Sequence, residues 1–203
     1  MGDPRFDALR QERLAPHAVD ILEKHVREAS DEELCRINAL DFAERTGLTE
    51  EQAIDLFLHA AKRGLFEMSW NMLCNGCGCV MSTAEHLRQM NDEHPLCELC
   101  SITAPLSVDE LVEVSFTVSA TLRRIGAHEP QSMGMWDYVR QLYFTPSLKL
   151  AKGKEWRDLW ESISLADDAV PAGGRVVLQL QLPAGYVIVF DAFNHLGCHD
   201  QRT

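Results

Sequence analysis

The chain reads as an α+β fold, with helices gathered early and strands late. Three observations carry that reading. Apolar residues recur at helical spacing through much of the first 70 residues, they alternate at strand spacing over 112–118, and 175–193 reads as two further strands. Between these regions stand two C-x-x-C pairs, Cys74/Cys77 and Cys97/Cys100, with nineteen residues separating them. The expected architecture is therefore N-terminal helices with a winged-helix-like unit (1–70), a central zinc ribbon (71–104) and a C-terminal antiparallel β domain (105–203).

Residues 1–34 read as helical. Pro16 suits a first helical turn, and Val19, Leu22 and Val26 then fall on one face. Ser30 with Glu33 is a capping box that restarts a helix. Asn38 caps a short helix "ALDFAERT" that Gly47 ends. Thr49 with Gln52 is a second capping box, opening a longer helix whose expected apolar stripe is Ala53, Ile54, Phe57, Leu58 and Ala61. Gly64 closes it. "LFEMSW" then alternates, with Phe66, Met68 and Trp70 on one side. Helix, tight turn, helix, strand is the order of a winged helix-turn-helix.

The cysteine segment comes next. Each C-x-x-C pair offers two thiolates from one tight turn, and two such turns make a soft tetrahedral set suited to Zn²⁺. Four protein ligands leave no open position, so the expected metal at Cys74, Cys77, Cys97 and Cys100 is structural. Gly76 and Gly78 flank Cys77 and are expected to let the first turn close through positive φ. Residue chemistry leaves two alternatives open: cysteines buried as small apolar side chains, and a redox dithiol, which would want a βαβ unit. Cys79 lies two residues beyond Cys77 and could compete as a ligand, but the fourfold set is complete without it; Cys35 and Cys198 read as ordinary free thiols. His86 and His94 lie between the pairs and read as solvated loop residues. Thr83 and Ala84 read as the start of a short helix.

"VEVSFTV" alternates as a strand, "YVRQLYF" is a second candidate strand, and "KEWRDLWESI" reads as a short helical or irregular excursion. "RVVLQLQLPAGYVIVFDAF" reads as two strands joined around Pro183-Ala184-Gly185. The last of them runs almost to the final residue, so the β domain is expected to be incomplete at that end. His195, Cys198 and His199 then belong to a frayed tail rather than to a site.

Composition is that of a globular protein, with 203 residues, 46% hydrophobic and 25% charged. A net charge of −12 opposes binding to a phosphate backbone or to anionic lipid. The charged start "MGDPRFDALRQERL" does not fit a signal peptide, and Phe6 stands where a myristoylation motif wants Ser or Thr. A cytoplasmic address is expected, with no membrane span. No G-x-S-x-G, P-loop, H-E-x-x-H or G-x-G-x-x-G pattern is present, so the chain is not expected to be an enzyme, and no catalytic or cofactor-binding residue is assigned.

From about Asn38 to Val118 the chain resembles the N-terminal domain that precedes class III adenylate/guanylate cyclase catalytic domains in many bacterial proteins. The residues that carry the resemblance are "LDFAERTGLTEEQAIDLFLHAAKRGLFEMSWNMLC", "CNGC", "CELC" and "VEVSFTVSATLRRI", with Trp70 four residues before the first cysteine. The resemblance implies a regulatory or scaffolding segment in cyclic-nucleotide signalling, whose partner is another protein or a linked cyclase domain. It implies no cyclase activity in these residues. Two other functions stand beside that expectation. One is a winged-helix/zinc-ribbon nucleic-acid binder, opposed by Glu50, Glu51 and Asp55 where a base-reading helix needs Arg, Lys, Asn or Gln. The other is a small-ligand sensor in the β domain.

Overall fold

In the computed structural model the described residues are 3–89, 97, 100, 112–148, 150, 155–166, 168, 170–182, 185–191 and 196–202. They form a mixed helical and antiparallel-sheet fold, in keeping with α+β.

Helix α1 (Pro4–Arg10) starts from Asp3, whose carboxylate accepts the Arg5 N–H. Helix α2 (Pro16–Glu28) buries Ala18, Val19, Leu22 and Val26, the face its periodicity predicts. Strand β1 (Ile37–Asn38) runs directly into α3 (Ala39–Thr46). The Asn38 side chain accepts the N–H groups of Leu40 and Asp41 at 2.8 and 3.3 Å, so two otherwise unpaired donors are satisfied. Gly47 ends α3 at φ 76°, a conformation that costs other residues a steric penalty. Helix α4 (Glu50–Lys62) opens with the reciprocal Thr49–Gln52 bonds of a capping box, at 3.0 and 3.2 Å.

The buried stripe of α4 is rotated from the expected one. Ala53, Leu56, Phe57 and Ala60 face inward, whereas Ile54 and Leu58 are 40% and 45% exposed. Both stripes have helical spacing and share Ala53 and Phe57, so periodicity alone does not choose between them. The aromatic partners of Phe57 do. Its ring stands edge-on to Phe42 and Phe66, and stacks on Phe116 with centroids 5.0 Å apart.

One four-stranded antiparallel sheet has the order β1-β4-β2-β3, where β2 is Phe66–Leu73, β3 is Val80–Ala84 and β4 is Val112–Val118. The register pairs Phe66 with Val118, Met68 with Phe116 and Trp70 with Val114. Phe66, Phe116 and Val118 are buried among the helices, and Met68 and Val114 pack against them. The residues between them form a polar face: Ser69 opposite Ser115, and Asn71 opposite Glu113. Asn71 and Ser115 are fully buried there, bonded to each other at 2.6 Å, and Thr83 donates to Asn71 Oδ1 at 3.0 Å. Thr83 and Ala84 are thus strand residues of β3, not the start of a helix; cross-strand pairing with Asn71 and Trp70 fixes them.

Two later helices follow, α5 (Met135–Leu142) and α6 (Trp156–Ile163). The first corrects the strand expected over "YVRQLYF". Tyr138 and Val139 do match a strand's preferred residue types, but with Leu142 they also lie at i, i+1 and i+4, the helical period that the fold uses. At the C-terminal end, β5 (Gly185–Asp191) pairs with β6 (Leu196–Arg202), Val187 opposite Asp200. The expected partner of β5, residues 175–182, is in no ladder among the described residues, and Val177 is 67% exposed. The segment expected to be a frayed tail supplies the pairing strand instead; Cys198 and His199 lie within it, and His195, like His94, falls outside the described residues. The expected turn at Pro183-Ala184 also lies outside them.

Candidate metal centre

Strand β2 runs straight into Cys74, and β3 begins one residue after Cys79, so the first C-x-x-C pair is the turn of the β2–β3 hairpin. Two backbone bonds close this turn. The Cys74 N–H donates to the Cys79 carbonyl and the Gly78 N–H to the Cys74 carbonyl, each at 2.8 Å. Gly78 sits at φ 72°, and a Cβ there would come within 2.8 Å of the Leu148 side chain. Of the two glycines expected to use positive φ, only Gly78 does so. Gly76 contributes differently: its N–H donates to the Cys74 sulfur at 3.3 Å.

Cys97 and Cys100 meet this turn. The four Sγ atoms of Cys74, Cys77, Cys97 and Cys100 all lie within 4.8 Å of one another. Cys74 Sγ is 3.5 Å from Cys100 Sγ, and Cys77 Sγ is 3.7 Å from Cys97 Sγ. Four thiolates around an ion with metal–sulfur bonds of about 2.3 Å would stand about 3.8 Å apart, so the set fits a tetrahedral ion closely. Cys74 and Cys97 are buried; Cys77 and Cys100 are partly exposed. The four thiols can hold one metal ion, and they are the four residues that the spacing singles out.

Cys79 joins them. Its sulfur is buried and lies 3.3 Å from Cys97 Sγ. It also meets Cys77, and the two thiols titrate as a pair. The hydrogen bond from Cys79 holds the Cys77 thiol down to about 5, despite partial burial. The same bond, followed by desolvation, raises the Cys79 thiol, which keeps its proton as donor. A third thiol, Cys35, is pushed up by burial and donates to the Gln141 carbonyl at 3.6 Å, as an ordinary free thiol does. His86 is exposed, as a solvated loop residue would be.

A small core surrounds the sulfurs. Cys74, Cys79, Cys97, Tyr138, Val139 and Phe144 are buried together, with Trp156 and Leu148 against them. The Val80 N–H donates to the Tyr143 carbonyl at 2.7 Å, which ties β3 to the end of α5. Phe144 packs on Trp156 with centroids 4.7 Å apart. Two arginines join this cluster to the helical core. Arg140, 6% exposed, pairs with Glu32 at 2.8 Å and lies over the Trp156 ring. Arg36, at φ 55°, donates to the carbonyls of Gln141 and Leu142 and to Thr83 Oγ1. Neither arginine is legible as a site residue in sequence, because a single Arg in a polar segment reads as a solvated side chain.

The comparisons place the chain only at the level of a family. The profile of DUF5939, a family of unknown function, matches residues 2–199. No curated protein and no solved structure matches the chain.

Proposed function

The chain belongs to the DUF5939 family, and we propose that it is a non-enzymatic regulatory or protein-interaction module stapled by one structural Zn²⁺. The observation that carries the proposal is the convergence of Cys74, Cys77, Cys97 and Cys100. Four thiolates fill a tetrahedron, so the ion has no position left for a water or a substrate, and its contribution is folding free energy. Zinc is the ion that four thiolates in that geometry favour. In this reading residues 71–104 are a zinc ribbon between a winged-helix-like unit and a C-terminal β region, and the ribbon fixes how those two parts sit. The address is cytoplasmic, where thiols stay reduced and available to the metal; no helix among the described residues is long and apolar enough to cross a membrane.

The surface of α4 supports an interaction role. Ile54 and Leu58 stand one turn apart and exposed, beside Glu50, Glu51 and Asp55. Acidic side chains at the N-terminal end of this apolar pair favour a protein partner and disfavour a phosphate backbone. The resemblance over Asn38–Val118 makes a linked or separate nucleotide cyclase our choice of partner. Two measurements test the reading. Native mass spectrometry should give about one zinc per chain. ATP and GTP incubated with residues 1–203 should remain unconverted; turnover of either by these residues alone would falsify the non-enzymatic assignment.

A further inference from the structure

Resting on the metal reading above, we propose that Cys79 is a reserve ligand of the same ion, able to take the place of Cys77. A four-thiolate site needs only a small side chain at position 79. Instead, that position carries a buried thiol whose sulfur is 3.3 Å from Cys97 Sγ, against 3.7 Å for Cys77 Sγ. Cys77 and Cys79 therefore both stand beside Cys97, at separations two thiolates on one ion can adopt.

The backbone keeps Cys79 in place without help from Cys77. The Cys74 N–H bond to the Cys79 carbonyl fixes residue 79 at the mouth of the turn, and Val80 is held to Tyr143 on its other side. Exchange then leaves Cys74, Cys97 and Cys100 as ligands. The Cys79 sulfur bonds to the ion as its thiol proton passes to solvent, and the Cys77–metal bond breaks. A d¹⁰ ion imposes no ligand-field barrier to such a shift. Cys77 is the more exposed of the two, so exchange releases a thiolate that an electrophile can reach while the ion stays bound.

The test compares the full chain with C77S, C79S and C77S/C79S, each loaded with Zn²⁺ and read by native mass spectrometry, then loaded with Co²⁺ and read by its thiolate-to-metal absorption. Wild type, C79S and C77S should each hold about one ion, with four-thiolate cobalt spectra, and only the double variant should lose it. In wild type, limiting iodoacetamide gives a second reading that needs no substitution: the Cys77 sulfur displaces iodide, and the chain alkylated at Cys77 should keep its zinc. A C77S chain that is metal-free or insoluble while C79S is loaded overturns the proposal, as does zinc loss on alkylation of Cys77. A wild-type chain without metal overturns the metal reading itself.

Discussion

Around Phe57 the protein packs four aromatic rings and the inward faces of α2, α3 and α4 onto one side of a sheet. Around Cys97 it packs a hairpin turn, two short helices and sulfur. Among the described residues twenty-two buried ones make up the first cluster and six make up the second, half of those six being cysteines. The first has enough apolar area to order its own elements. Among the described residues the second buries much less, and in the reading proposed above its order comes from a metal and from arginine bonds reaching across from the larger core.

The largest effect should come from breaking the smaller cluster. Removing the metal, or substituting Cys97→Ser, deletes a contribution that reaches about 10 kcal/mol in small zinc-dependent folds. Amides of residues 74–80 and 138–144 should lose hydrogen-exchange protection, whereas those of α4 should keep theirs. Equal loss in both regions would mean that the two clusters fold as one unit.

The complementary substitution is Phe57→Ala. A cavity among three neighbouring rings should cost roughly 3–5 kcal/mol in denaturant unfolding, with zinc stoichiometry unchanged while the protein is folded. Asn38→Ala should cost about 1 kcal/mol through its two lost cap bonds on α3. It also removes a donor to Glu113 Oε2, where the β1–β4 edge meets the loop at Ser147, so a larger loss would show that this polar bridge matters more than the cap.

The smallest effect is set by pH and belongs to the first cluster. Burial lowers the pKa of His25, which lies edge-on to Phe42, below its ordinary value of 6.5. Between that value and the depressed one the unfolded chain binds the proton and the folded chain does not, so stability should fall as pH drops below about 6.5. His25→Phe should flatten this part of the stability curve. An unchanged slope would assign the acid sensitivity to another group.

The sequence made the helices legible because their ends carry local chemistry: Asn38, Thr49 with Gln52, Gly47 and Gly64 all act where they stand in the chain. The four cysteines were legible for the same reason, since ligand spacing is itself the signal. Long-range choices were not. Which stripe of α4 turns inward depends on Phe116, some sixty residues further on, and helix against strand over 138–144 depends on packing beside the sulfurs. The pairing of β5 with β6 was hidden because "LGCHDQR" is polar and its partner is chosen by backbone bonds. Arg36 and Arg140 are not legible in the sequence because only the fold shows that both reach across to join the clusters.

The central claim is that a metal at Cys74, Cys77, Cys97 and Cys100 orders the smaller cluster. Hydrogen exchange on the purified chain, before and after a zinc chelator and with zinc counted by native mass spectrometry, tests it directly. The account predicts about one zinc per chain, and on its removal a loss of protection confined to the hairpin turn and α5. No bound metal, disulfides among the four cysteines, or protection unchanged by the chelator would contradict it.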